Sequence, residues 1–424
     1  MYATPDSPMN LTRRSALFSA GLGLLVTSLM KYMRRPIAAG LLAPFAALAF
    51  LLTSAGAARL AETITPLLLA VQNAPIPFLG SDGQTHLVYE LRITNFSSGE
   101  AVLQTVEVVG DDKVLAIFDS AAVAGRLQPV GRREASATMA ASVQALLFVH
   151  VVRPADVPTP GRLTHRISAR VAAAPPGRQE LRESGGETPV GRREVVVIGP
   201  PLRGEHFISA DSCCDASRHT RAALPVNGRV FLAQRFAVDW EGLNAQGSIY
   251  AGERSDPASY AIYGREVLAV ADAPVIAVID GQPDQPPGKM PSGITIEEAD
   301  GNSIVLDLRG GHYALYAHLR AGSIAVKPGD RVKRGQVIAR VGNSGNTLAP
   351  HLHFHVMDTP SPLASNGLPY AIDAFQVTGA TAGTEAFDKA EADGTPLAIT
   401  PLAPPRAVRN ALPLDQLEIS FKGR

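Results

Sequence analysis

The chain has 424 residues, 46% hydrophobic and 18% charged, which allows two or three domains with sizeable cores and excludes wholesale disorder. Lys+Arg and Asp+Glu balance at 39 each, so there is no electrostatic case for a nucleic-acid binder. The only two cysteines, Cys213 and Cys214, are adjacent, so neither a disulfide framework nor a four-cysteine zinc site can be built, and the ten histidines become the place to look for chemistry.

Residues 1–57 read as a targeting region. Two apolar runs, Ala16–Met30 and Pro36–Ala57, each follow a basic cluster, and the second ends in Ala55-Gly56-Ala57, a small-x-small cleavage pattern. The expectation is an export signal with translation starting at Met30 or Met33; an uncleaved membrane anchor is the alternative, because a run of this length can span a bilayer. Without 1–57 the chain is mildly acidic, with 34 basic and 38 acidic residues. An exported protein meets an oxidising compartment, which leaves Cys213 and Cys214 as a vicinal bond, free thiols or an intermolecular pair.

From about 60 to 200 the pattern is all-β. His86–Phe96 alternates with Leu87, Tyr89, Leu91 and Ile93 on one face, and Leu163–Val171 sets Leu163, His165, Ile167, Ala169 and Val171 against Thr164, Arg166, Ser168 and Arg170. Short period-2 strands separated by turns predict an immunoglobulin-like β-sandwich. His86, His150 and His165 read there as ordinary strand residues without ligand spacing. Residues 172–193, rich in Pro, Gly, Arg and Glu, read as a long hairpin loop or linker. A second β-rich unit follows over 201–375. Val267–Ile279 suits a buried strand pair, and Ile294–Ile296, Ser303–Leu308 and Tyr313–His318 read as short strands with no helical period between them. Residues 376–424 read as a loosely packed Pro- and Ala-rich tail.

Five of the ten histidines lie between 312 and 355. In Asn346–Val356, NTLAPHLHFHV, a strand would point His351, His353 and His355 to one face, so that imidazoles at i and i+2 can converge on one metal ion or on a metal and its water. His318 ends the strand pattern of Tyr316-Ala317-His318-Leu319.

Over Tyr263–Asp373 the sequence resembles the lysostaphin/LytM-type zinc endopeptidases, which have the duplicated hybrid motif fold. The resemblance rests on Tyr263–Val270, Gly301-Asn302, Tyr316-Ala317-His318-Leu319, Lys327–Val341 and Pro350-His351-Leu352-His353-Phe354. It implies that His318 and His351 are catalytic and that His353 ligates Zn2+. The family's remaining ligands, a His and an Asp in a His-x-Gly-x-Asp-like strand, fall on Arg235–Asp239. Asp239 matches the Asp, but Arg235 stands in the His position and its guanidinium cannot ligate. His219 is a substitute, carried in by a hairpin around Pro225-Val226-Asn227-Gly228. A three-residue loop Val226-Asn227-Gly228 would place His219 opposite Arg235 on the side of Asp239; a two-residue loop Asn227-Gly228 would turn it away. His206 is a weaker substitute, and Cys213-Cys214 with His219 could form a separate metal site. His355 reads as a supporting or structural residue and His312 as a turn residue.

The expected protein is therefore an exported, periplasmic or extracellular all-β chain: a β-sandwich followed by a peptidase domain with His219, Asp239 and His353 on Zn2+ and His318 and His351 beside it. Its implied activity is hydrolysis of peptide bonds in peptidoglycan by metal-activated water, with no nucleic-acid partner. Arg235 motivates the alternative, a degenerate relative that binds cell wall or activates another hydrolase. The Gly-Asp-x-Val-x-x-Gly-Gln chemistry of Val326–Ala339 also fits a biotinyl-type barrel, but HLHFH has no place in one.

Overall fold

The alternation read in the N-terminal half closes two sheets over one core. A computed structural model describes residues 64–421 except Arg133 and Ala216, so the 1–57 targeting region lies outside the described residues. Among the described residues strands take 49% and helices 7%, an all-β architecture.

One five-stranded sheet is built on Gln84–Asn95 and Gln144–Pro154, the other on Ala101–Gly110 and Arg162–Val171. Leu87, Tyr89, Leu91 and Ile93 from the first and Leu163, Ile167, Ala169 and Val171 from the second share a single hydrophobic core. The stretch 172–193 departs from the loop reading. Glu180–Pro189 is an edge strand paired to Arg162–Val171, with a register shift between Gly185 and Thr188. Its polar, alternately exposed side chains are what an edge tolerates and what hid it from a hydrophobic pattern.

The opposite face of the first sheet is covered as well. Period 2 puts Val88 and Glu90 of one strand and Leu146 and Phe148 of its neighbour on that face; Val88 joins the core of the C-terminal part, and Leu146 and Phe148 pack on Leu232. Glu90 takes a bidentate ion pair from Arg235, at 2.6 and 2.5 Å. The N-terminal and C-terminal layers thus form one compact unit from residue 63 onward.

The C-terminal part is organised by a twelve-stranded sheet in which Gly204–Ala210, Val238–Gly242, Leu352–Met357, His312–Leu319, Asn302–Arg309 and Ala273–Ile279 are successive neighbours. Val267–Ile279 is not a self-paired hairpin: Glu266–Leu268 pairs with Val337–Arg340, and Ala273–Ile279 with Asn302–Arg309. Ile294–Ile296 is not a strand, because Thr295 caps a short 3-10 turn at Ile296–Glu298. Residues 376–424 are not a loose tail. Leu417–Phe421 inserts between Gly204–Ala210 and Tyr370–Thr381, and Ile399–Ala411 pairs the outer side of the latter. A helix, Thr384–Asp393, buries Phe387 and Ala390 and ends on left-handed Gly394, whose amide donates to the Ala390 carbonyl.

Candidate metal and catalytic site

Three adjacent strands set the centre. Asp239 pairs in register with His353, and His353 with Ala317, so Asp239 and His353 stand side by side with His318 one residue further along the third strand. His353 Nδ1 lies 2.8 Å from Asp239 Oδ1. His351, two residues earlier, brings Nε2 to 3.4 Å from the same oxygen.

His219 arrives by a route the hairpin reading did not contain. The hairpin has the two-residue loop, pairing Val226 with Arg229 and Leu224 with Phe231. His219 is not on either strand: it lies in a four-residue helix, Ser217–Thr220, outside the hairpin. There its Nδ1–H donates to the Asp211 carbonyl at 2.7 Å, and its Nε2 lies 3.3 Å from Asp239 Oδ2. Ligand atoms of His219, Asp239 and His353 all fall within 4.8 Å of one another. Arg235 points away from them and is held by Glu90. Of the other candidates, His206 is bound to Glu418 at 2.8 Å and His312 to the Arg309 carbonyl. The pairing of Cys213-Cys214 with His219 as a metal site is not formed: the two cysteines are joined as a disulfide.

The donor set suits a borderline divalent cation. The Asp211 carbonyl fixes one His219 proton on Nδ1, so Nε2, which faces Asp239, is the nitrogen that would ligate once it gives up its proton. His353 Nε2 lies 2.9 Å from His355 Nδ1, so when His353 offers Nδ1 to a cation its Nε2–H has an acceptor. His355 Nε2 is buried with no partner, a cost that this arrangement accepts. Sequence reading named His355 only as supporting; its contact to His353 is the reason to count it within the site.

Electrostatics reflect a carboxylate enclosed by imidazoles. Burial alone would raise Asp239, but the charges of His219 and His351 outweigh it and hold the acid well below its ordinary value. Burial would lower His219 and His351, yet Asp239 holds each at about 9. His318 goes the other way: burial, then repulsion from His351 and His353, pushes it well below the ordinary value. Its Nδ1–H donates to the Ser344 carbonyl at 2.8 Å, and His351 Nδ1–H donates to the Ala349 carbonyl at 2.9 Å. Both therefore keep Nε2 for the site. His318 has φ 58°, a left-handed conformation that a non-glycine residue holds only where its surroundings impose it.

A cavity of about 1200 Å³ opens over these groups. Its floor carries His219, Asp239, His318, His351 and His353, and one wall is the N-terminal layer, with Gln128, Gln144, Leu146 and Phe148. Nothing in the sequence marked that wall, because it forms only when the two layers pack.

Residues 260–365 match the sequence profile of Peptidase family M23. The match contains His318, His351 and His353 but begins C-terminal to His219 and Asp239. The glycyl-glycine endopeptidase ALE-1 of Staphylococcus capitis is 36% identical over 96 residues, 22% of this chain and 24% of that protein. The peptidoglycan DD-endopeptidase ShyB of Vibrio cholerae is 37% identical over 92 residues, 21% of each. The chain thus spans less than a quarter of the length of these curated relatives. The catalytic domain of lysostaphin from Staphylococcus simulans is 25% identical and aligns over 34% of this chain and 80% of its own, with a TM-score of 0.21. The chain carries, at residues 260–365, a domain of peptidase family M23, the lysostaphin/LytM-type family that its motifs resemble.

Proposed function

We propose that the protein is a zinc-dependent endopeptidase of the cell envelope that cleaves peptide bonds in peptidoglycan. The observation that carries this reading is the convergence of His219, Asp239 and His353 within 4.8 Å, with His318 and His351 beside them on the floor of one cavity. Arg235 does not weaken it, since His219 supplies the imidazole from another segment. When bound by His219, Asp239 and His353, a zinc ion supplies Lewis acidity, polarising the scissile carbonyl and lowering the pKa of the attacking water toward neutrality. The remaining work belongs to the chain. His318, kept neutral by burial, presents Nε2 as the base that accepts the water's proton. His351, its other nitrogen tied to the Ala349 carbonyl, offers Nε2–H to the developing oxyanion. The N-terminal wall, with Gln128, Gln144, Leu146 and Phe148, gives a bound peptide a side to lie against.

Cell-wall substrates are supported by the names of ALE-1 and ShyB, and export by the Ala55-Gly56-Ala57 pattern together with the Cys213–Cys214 disulfide. The test separates the roles. His219→Ala, Asp239→Asn and His353→Ala should each abolish stoichiometric zinc and hydrolysis of purified peptidoglycan. His318→Ala should keep zinc and lose hydrolysis. A folded protein that binds no zinc and hydrolyses no peptidoglycan would establish the non-catalytic, wall-binding alternative instead, and hydrolysis that survives chelation would refute zinc dependence.

A further inference from the structure

The sequence shows His86 and His150 as isolated strand residues and Cys213-Cys214 as a pair without a role. Folding brings them together, away from the catalytic cavity. His86 Nδ1 and His150 Nε2 stand 2.8 Å apart, and Cys214 Sγ lies 3.9 Å from His86 Nδ1. Each imidazole is held from behind by a carboxylate: Asp82 Oδ1 is 3.0 Å from His86 Nε2, and Asp215 Oδ2 is 3.1 Å from His150 Nδ1. Phe78 stacks on the His86 ring at 5.4 Å. His86 and Cys214 are buried, and the His150 side chain is 14% exposed, which leaves an entry path.

This arrangement contains a conflict. A carboxylate only accepts, so each histidine spends its single neutral N–H on the aspartate behind it. The two inner nitrogens then face each other at hydrogen-bond distance, where a single shared proton satisfies both and a cation ligated by both would take that proton's place. Their ligand atoms and Cys214 Sγ all lie within 4.8 Å of one another. Carboxylate–histidine pairs aimed at one point are the outer arrangement of metal ligands. The third donor is a sulfur, but in the disulfide it is bonded to Cys213 and donates weakly.

We propose that His86 Nδ1, His150 Nε2 and Cys214 Sγ form a second metal site, for a thiophilic d10 cation of the Zn2+ or Cu+ type, completed when the Cys213–Cys214 bond is reduced. A dithiol reductant delivers two electrons and two protons to the S–S bond, giving two thiols while the reductant closes to its own disulfide. Binding then releases the Cys214 proton to solvent and leaves a thiolate and two imidazoles on the cation. The site joins the N-terminal sheet to the loop that carries His219, five residues beyond Cys214.

Cobalt(II) distinguishes this site from the catalytic one, which has no sulfur donor. Titrated into the full chain with its disulfide intact, Co2+ should give no sulfur-to-cobalt charge-transfer band. After reduction and anaerobic removal of the dithiol, one further equivalent should bind with that band. Cys213→Ser, which leaves Cys214 without a disulfide partner, should bind it without any reduction. Cys214→Ser and His86→Gln should not bind it after reduction. The proposal is overturned if the band persists in both His86→Gln and His150→Gln, which would mean thiolate binding alone. It is equally overturned if Cys213→Ser keeps the parent's thermal transition yet takes up no further cobalt.

Discussion

Arg235 stands where the family pattern would place a metal-binding histidine, and its ion pair with Glu90 predicts what happens when it is changed. Side-chain exposure is 6% for Arg235 and 1% for Glu90, and two charge-assisted hydrogen bonds join them. Arg235→Met leaves a carboxylate buried without a counter-charge between the layers, a change that costs about 3–5 kcal/mol. Against a total stability of about 5–15 kcal/mol, that is a large fraction. Replacing both partners, Arg235→Met with Glu90→Leu, removes the uncompensated charge as well and should recover most of the loss, giving a coupling energy of about 2 kcal/mol or more. Arg235→His should destabilise as much as Arg235→Met and add no zinc, because position 235 faces Glu90 and not Asp239. Urea unfolding followed by the fluorescence of Trp240, the single and fully buried tryptophan, measures each variant. The reasoning is refuted if Arg235→Met costs less than about 1 kcal/mol or if the double variant costs the sum of the singles.

Two further outcomes follow from the site. Asp239 holds His219 at about 9 against its burial, so below that pH a zinc ion must displace a proton from Nε2. Apparent zinc affinity should therefore climb about tenfold per pH unit between pH 6 and 8 in competition with a chelator, and a flat profile would contradict the assignment of His219 as a ligand. Gly301 has φ 61°, and a Cβ there would meet the Ser344 carbonyl oxygen at 2.4 Å, the acceptor that orients His318. Gly301→Ala should lower kcat/KM by on the order of tenfold to a hundredfold while leaving zinc stoichiometry intact; loss of zinc with the activity would place the effect elsewhere.

Some of this site is legible in the chain itself. Period 2 in HLHFH is enough to put His351, His353 and His355 on one face, and the motif order around them carries the family resemblance. Alternation likewise predicts the inward faces of the Gln84–Asn95 and Arg162–Val171 strands, because a strand with one face on a core must alternate. Other elements left weaker marks. Glu180–Pro189 is an edge strand whose polar residues mimic a loop, and Leu417–Phe421 becomes a strand only because two distant strands leave a gap for it.

The sequence by itself determined the strand faces and the histidine row, since these depend on neighbours two residues apart, and its motif order carried the resemblance that singles out Asp239 and His353. Only the tertiary structure decided the rest. Four residues of helix carry no periodic signal, so His219 is placed by the Asp211 carbonyl and by Asp239, not by the hairpin beside it. Arg235 is an ion-pair partner because Glu90, 145 residues earlier, faces it across the layers. His86 and His150 meet Cys214 for the same reason: the outer face of a sheet acquires its partners only when another layer closes over it.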